Sequence, residues 1–271
     1  MPKVTEVRPK NLPEYLARIE ALQRSAKRPL WFRGVGNRQH KLVPSIYRHP
    51  AINGQKAFQD LETELMTRFR QRSIPYHSRS LDNDWEALFF MQHYGVPTRL
   101  LDWTENPFTA LHFAMMAARL TTPKAGKPQY VADAAVWVLD PVAWNRAALS
   151  DMSYTGGALT PGNEALNGYS PRASATAMNA LPVAMYGAHN SARIVAQQGV
   201  FAIFGADRTP MDTLIQNGRI PADALICVVI PARRITTLRR SILNHGITES
   251  VVFPDLEGLA RETKRHFGFE A

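Results

Sequence analysis

The chain has 271 residues, 45% of them hydrophobic, which fits one large domain or two small ones and is enough for a substantial core. Its net charge of +9 points to an acidic partner such as nucleic acid or a phosphorylated cofactor. A single cysteine excludes an internal disulfide, and no apolar run approaches the ~20 residues of a membrane span.

The N-terminus alternates charge at Lys3, Glu6, Arg8 and Lys10 and lacks the apolar core of a signal peptide, so the cytoplasm is the expected compartment. Residues 11–26 place Leu12, Tyr15, Leu16, Ile19 and Leu22 at helical spacing, and Pro29 stops the helix. LWFR at 30–33 reads as a short strand running into Gly34, Val35, Gly36 and Asn37, where a turn or a close backbone approach is expected. Residues 42–47 read as a loop broken by Pro44. Residues 56–72 form a helix with Phe58, Leu61, Leu65, Met66 and Phe69 inward and Arg68, Arg70 and Arg72 outward. That outer face is either solvated or a surface for a polyanion.

The chain is organised around residues 86–114, EALFFMQHYGVPTRLLDWTENPFTALHFA. A helix with Trp85, Leu88, Phe89 and Gln92 on one face ends at Gly95. In residues 98–104, Arg99, Asp102, Trp103 and Thr104 alternate around two leucines. Asn106 and Pro107 then cap and start a second helix, apolar nearly all round and so buried. Charges pinned between buried helices are costly unless paired, so Arg99 and Asp102 either hold each other or face a cleft.

Residues 134–139 (AAVWVL) read as a strand, and residues 150–181 as a long loop or insert rich in small and polar residues. A short helix at 191–198 closes at Gly199, followed by strands at 200–204 and 225–230; the latter holds Cys227, a core thiol. A basic helix at 231–244 carries Arg233, Arg234, Arg239 and Arg240, residues 250–253 read as a last strand, and 255–266 as a closing helix. The pattern is α+β, or mixed α/β: one domain with a central, partly antiparallel sheet flanked by helices.

No P-loop, nucleophile elbow or zinc-ligand spacing is present, so no metal is expected, and Gly34-Val35-Gly36 lacks the third glycine of a dinucleotide turn. Polar residues at element ends remain. Arg33 ends a strand, where it can fork onto a phosphate or pair with Asp102 or Glu86. His93 and Tyr94 close a helix, and Thr98, Arg99, Asp102, Trp103 and Thr104 form the densest polar and aromatic cluster. Gln197, Gln198 and Gly199 stand at the mouth of a strand; Glu249 precedes the expected last strand, and Asp255 reads as a helix cap.

WFRG, LVPSIYR, MQHYGVPTRLLDWTENPFTALHFA, VWVLDP, QQGVF and GITESVVFPDLEGLA together resemble the FRG domain, named for the motif seen here as Phe32, Arg33 and Gly34. The resemblance spans residues 30–262, with an N-terminal helical segment at 1–29 and a tail at 263–271. A further resemblance is to ADP-ribosyltransferases, in the order of Arg33, then residues 98–104 leading into ALHFA, then Gln198 where that family has a glutamate. It implies an NAD-using enzyme, a bacterial toxin or defence effector. Arg33 and Arg99 would hold the pyrophosphate, and Gly34, Thr98 and Thr104 would also bind the cofactor. Tyr94 and Trp103 would clamp the nicotinamide. Asp102 or Glu249 would stabilise positive charge on the ribose, with His93 also available. The acceptor would be a protein side chain, a nucleic-acid base or water. Gln198 can hydrogen-bond a ribose hydroxyl but cannot act as a base. A non-catalytic nucleotide sensor is therefore one alternative, and a nucleic-acid-binding or nuclease module, from the basic surface, is another.

Overall fold

The computed structural model describes residues 4–77, 81–122, 126–171, 173, 177–188 and 191–269. In chain order the elements are β1 (Thr5–Val7), α1 (Leu12–Ala26), β2 (Trp31–Val35), α2 (Gln55–Ser73), α3 (Asp84–His93), β3 (Leu100–Thr104) and α4 (Pro107–Met116). There follow β4 (Leu120–Thr121), β5 (Gln129–Tyr130), β6 (Ala134–Leu139), α5 (Pro141–Ala148), β7 (Val183–Met185), α6 (Ala192–Gln197) and β8 (Gly199–Ile203). The chain closes with α7 (Met211–Gln216), β9 (Leu225–Ile230), α8 (Ala232–Asn244), α9 (Glu249–Val252) and α10 (Leu256–His266).

The fold is mixed α/β. Seven strands form one sheet in the order β1-β9-β6-β2-β3-β8-β7, antiparallel throughout except for the β1–β9 pair, and β4 and β5 form a separate ribbon. Alternation along the strands divides the core. Trp31, Val35, Leu101, Trp103, Trp137, Val200, Ala202 and Cys227 pack on one face with α5 and α7. The other face has two halves. Phe32, Val136, Val138 and Val228 meet α1, α4 and α8, while Leu100, Phe201, Ile203 and Val183 meet α3 and the turn around Tyr169.

Helix starts follow local chemistry. The side chains of Asn11, Asn83, Asn106, Asp140, Ser191 and Asp255 each accept a backbone N–H in the first turn that follows, which satisfies a donor the helix cannot. Gly34 and Gly36 make the close approach that their spacing predicts: they lie beneath α4 rather than in a turn, and β2 continues to Val35. A Cβ on Gly34 would sit 1.9 Å from the Ala110 carbonyl oxygen, and one on Gly36 2.0 Å from that of Ala117.

Three readings differ from the structure. Residues 250–253 are not a strand: Glu249–Val252 is one helical turn, closed by Phe253 N–H on the Glu249 oxygen at 2.8 Å and Val252 N–H on the Thr248 oxygen at 3.1 Å. The β-branched composition favours a strand, but local bonds satisfy the backbone and no sheet edge is needed. The segment 150–181 is not a free loop in its described part. Leu159, Leu166 and Tyr169 are fully buried, and the Tyr169 hydroxyl donates to the Leu181 oxygen at 2.5 Å; residues 172 and 174–176 lie outside the described residues. Strands β1 and β7 carry no clear sequence signal. Each is three residues long and owes its conformation to the strand beside it.

Gly34→Ala is expected to cost about 2–4 kcal/mol, since the methyl would push β2 off the α4 backbone, and Gly54→Ala, where a Cβ meets nothing within 4 Å, far less. Paired urea melts of the two variants check the difference.

Candidate functional site

β2 and β3 pair at a single register position, Phe32 opposite Thr104, although β2 runs on along β6 and β3 along β8. Beyond that position the two strands part. The gap opens into a hollow of about 230 Å³ on the face between the two core halves. The strands supply Phe32, Arg33, Gly34, Asp102, Trp103, Thr104, Gly199 and Phe201; α3 supplies Gln92 and His93, α4 Phe113, and α6 Arg193, Ile194 and Gln197.

Asp102 is exposed in this hollow. Its carboxylate accepts from the Gln92 amide at both oxygens, at 2.9 and 2.8 Å. The orientation of that amide is set in turn by buried Thr98, whose hydroxyl donates to Gln92 Oε1 and accepts from Leu100 N–H at 3.1 Å. Among the described residues no Lys or Arg forms an ion pair with Asp102. The site therefore presents a fixed carboxylate to whatever enters.

Arg33 lines the same hollow. Its Nη1 donates to the Asp102 backbone oxygen at 2.5 Å, so it bridges the parted strands through the main chain and not through the carboxylate. Burial pushes its pKa down, opposed by Asp102 and reinforced by Arg48. Its Nε is buried with no partner among the described residues.

His93 sits at the end of α3 with Nδ1 3.3 Å from the Ser191 hydroxyl. Burial and then the Arg193 charge push its pKa below the ordinary value, against a smaller pull from Asp255. At neutral pH it is an uncharged imidazole that can take a proton.

Of the other expected site residues, Gly34, Trp103 and Thr104 also line the hollow, and the rest lie elsewhere. Arg99 is fully buried and grips Glu62 of α2 with Nε at 2.6 Å and Nη2, gives Nη1 to the Tyr169 oxygen at 3.3 Å, and lies 4.8 Å over the Phe58 ring. It neither pairs with Asp102 nor reaches the hollow, so a pyrophosphate-holding role is excluded by placement. Trp103 lines the hollow but is buried, and it packs into the core on the other face of the sheet. Tyr94 is 63% exposed and packs edge-on against Phe90 and His93, outside the hollow. Thr104 is buried and ties the Gln197 oxygen to its hydroxyl at 2.5 Å while accepting from Asn106 N–H. Gln198 is exposed, caps α6 in the left-handed conformation (φ 46°) and does not line the hollow. Its neighbour Gln197 does, with Nε2 on the Val252 oxygen at 3.0 Å. Glu249 is buried and held by Arg265 Nε at 2.8 and 3.0 Å, so its charge is already spoken for. On the outer face of α2, Arg70 is tied to Asp84 at 2.7 Å and to the Leu81 oxygen at 2.8 Å, which removes it from a polyanion surface.

Glu62, Gln92 and Arg193 were not among the expected site residues. Two of them left a trace. Glu62 stands four residues from both Phe58 and Met66, an acid on the inward face of α2, and Gln92 is the polar member of an otherwise apolar face of α3. Such positions mark a buried partner. Arg193 shows no signal in its own segment.

Residues 28–122 match the family model of the FRG domain, a segment that carries β2, α2, α3, β3 and α4, and with them Arg33, Gln92, His93 and Asp102. This match supports an FRG domain over residues 28–122. No curated protein and no solved structure matched, and nothing in these comparisons supports the ADP-ribosyltransferase resemblance. Among the described residues no helix is long and apolar enough to cross a membrane.

Two buried groups give measurable consequences. Arg99→Met alone should cost about 3–5 kcal/mol because Glu62 is left buried and charged, whereas Glu62→Leu combined with Arg99→Met should recover most of that loss in denaturant melts. His112 on α4 is 1% exposed, has both ring nitrogens unpartnered among the described residues, and packs against Phe253. Burial pushes its pKa down to about 4, with Glu249 pulling it up and Arg239, Arg265 and Arg261 pushing it further down. The unfolded chain thus binds this proton more readily than the folded one. The stability His112 confers is complete above its ordinary value near 6.5 and is lost as pH falls towards 4, about 3 kcal/mol in all. His112→Leu should flatten that part of a stability-versus-pH curve.

Proposed function

We propose that the hollow binds a nicotinamide nucleotide and that the protein is an NAD-using enzyme of ADP-ribosyltransferase type, or an NAD glycohydrolase where water is the acceptor. The observation that carries this reading is the Asp102 carboxylate, fixed by Gln92, exposed to the hollow and in no salt bridge among the described residues. Heterolysis of the bond between ribose C1′ and the nicotinamide nitrogen sends the electron pair to the ring, which becomes neutral. The ribosyl carbon is left with oxocarbenium character. A fixed carboxylate lowers the energy of that charge more than it lowers the energy of the ground state, which is the requirement for catalysis. The acceptor then bonds to C1′ and sheds a proton, which neutral His93 is suited to take. Phe32, Phe113 and Phe201 supply apolar walls for the nicotinamide in place of Tyr94, which lies outside the hollow. Protein side chains and nucleic-acid bases are the other acceptors to test, and turnover of cellular NAD or modification of a macromolecule would make the protein a toxin or a defence effector.

Asp102 is the one carboxylate lining the hollow among the described residues, so a nucleotide sensor is the second reading: it would be stabilised by NAD without releasing nicotinamide. The two separate in one experiment. Pure protein is incubated with labelled NAD, with and without cell extract, and released nicotinamide and labelled macromolecules are measured. Asp102→Asn is expected to lower nicotinamide release by about 10²–10³-fold while the melting curve stays within about 0.5 kcal/mol of wild type. Wild-type release from the variant would remove Asp102 from the chemistry.

A further inference from the structure

Helix α6 brings to the hollow a cation that forms no ion pair among the described residues. Arg193 lines it beside Ile194 and Gln197. Its guanidinium carbon lies 4.7 Å from the centre of the Phe253 ring, the residue that joins α9 to α10. The arginines around it are engaged: Arg265 with Glu249, Arg261 with Glu257 and over the same Phe253 ring, Arg33 with the Asp102 main chain. Arg193 forms no ion pair with a carboxylate among the described residues, yet its charge is felt at His93 inside the hollow. An arginine laid over an aromatic ring keeps its N–H edge free, and that edge matches the paired oxygens of a phosphate.

We infer that Arg193 is the anion anchor of the hollow, and that its ligand carries a phosphate together with a group able to face the Asp102 carboxylate. The inference rests on the nucleotide reading above and adds a polarity to it. The negative end of the ligand lies against α6 and the electron-poor end against β3, with Phe32, Phe113 and Phe201 lining the same space. Arg33 and Arg99, the arginines that the sequence puts forward for the phosphate, are committed to the Asp102 main chain and to Glu62.

The test is calorimetric titration of the full chain with nicotinamide mononucleotide, with nicotinamide riboside, which lacks only the phosphate, and with inorganic pyrophosphate. Wild type should bind the mononucleotide about tenfold or more tightly than the riboside, the expected effect of a charged hydrogen bond to the phosphate. Arg193→Ala should erase that preference with an unchanged melting temperature, and Arg193→Lys should restore part of it. Asp102→Asn should keep the preference, and Arg68→Ala, an exposed arginine on α2, should change nothing. Should Arg193→Ala fail to fold, Arg193→Gln, which keeps the length over Phe253, replaces it. The inference is overturned if the preference survives removal of the Arg193 charge, if Arg68→Ala abolishes it equally, or if wild type binds neither the mononucleotide nor pyrophosphate. Arg193-dependent binding of pyrophosphate, with no binding of either nicotinamide compound, would uphold the anchor and overturn the NAD reading instead.

Discussion

The parting of β2 and β3 after the Phe32–Thr104 pair is the constraint on which the site depends. Two strands deep in a sheet normally keep their ladder, because buried N–H and C=O groups left unpaired are costly. Here the loss is partly offset by Arg33, whose guanidinium reaches across and takes the Asp102 carbonyl. The opening is held on one side by α4, whose backbone rests directly on Gly34 and Gly36. On the other side β3 is locked along all of β8, from Leu100 opposite Ile203 to Thr104 opposite Gly199. The hollow is thus a consequence of sheet geometry, and its lining side chains stand on rigid elements.

The polar groups of the LLDW segment divide by strand alternation. Arg99 and Asp102 are three residues apart, and an odd spacing along an extended chain puts side chains on opposite faces. Arg99 turns into the interior and meets Glu62; Asp102 turns to the hollow and meets the Gln92 amide. The same rule sends Trp103 into the core beside Leu101. The consequence for function is a clean separation: a buried ion pair that secures α2 to the sheet, and a carboxylate left with its charge available. Thr98 links the two regions by fixing the Gln92 amide from below.

Around that carboxylate the hollow combines neutral His93, uncommitted Arg193 and aromatic walls, all brought from elements far apart in the chain. The phosphorylated ligand with an electron-poor ring that we propose would satisfy each of these features. Its phosphate suits the guanidinium on α6, its ring the phenylalanines, and its developing charge the aspartate.

Local chemistry determined the helix starts at Asn11, Asn106 and Asp255, the buried strands at 134–139 and 225–230, the mixed α/β class, and the packing role of Gly34 and Gly36, because caps, periodicity and absent side chains act within a few residues. Arg33, His93 and Asp102 were legible as candidates because they are polar beside apolar runs; His93 ends α3, while Arg33 and Asp102 stand mid-strand, and all three line the hollow. Tertiary structure alone decided that Glu62 takes Arg99, that Gln197 and not Gln198 turns inward, that Glu249 is neutralised by Arg265, and that Arg193 enters the hollow. The physical reason is that a charge is either spent or available according to a partner tens of residues away, which no local pattern of side chains encodes.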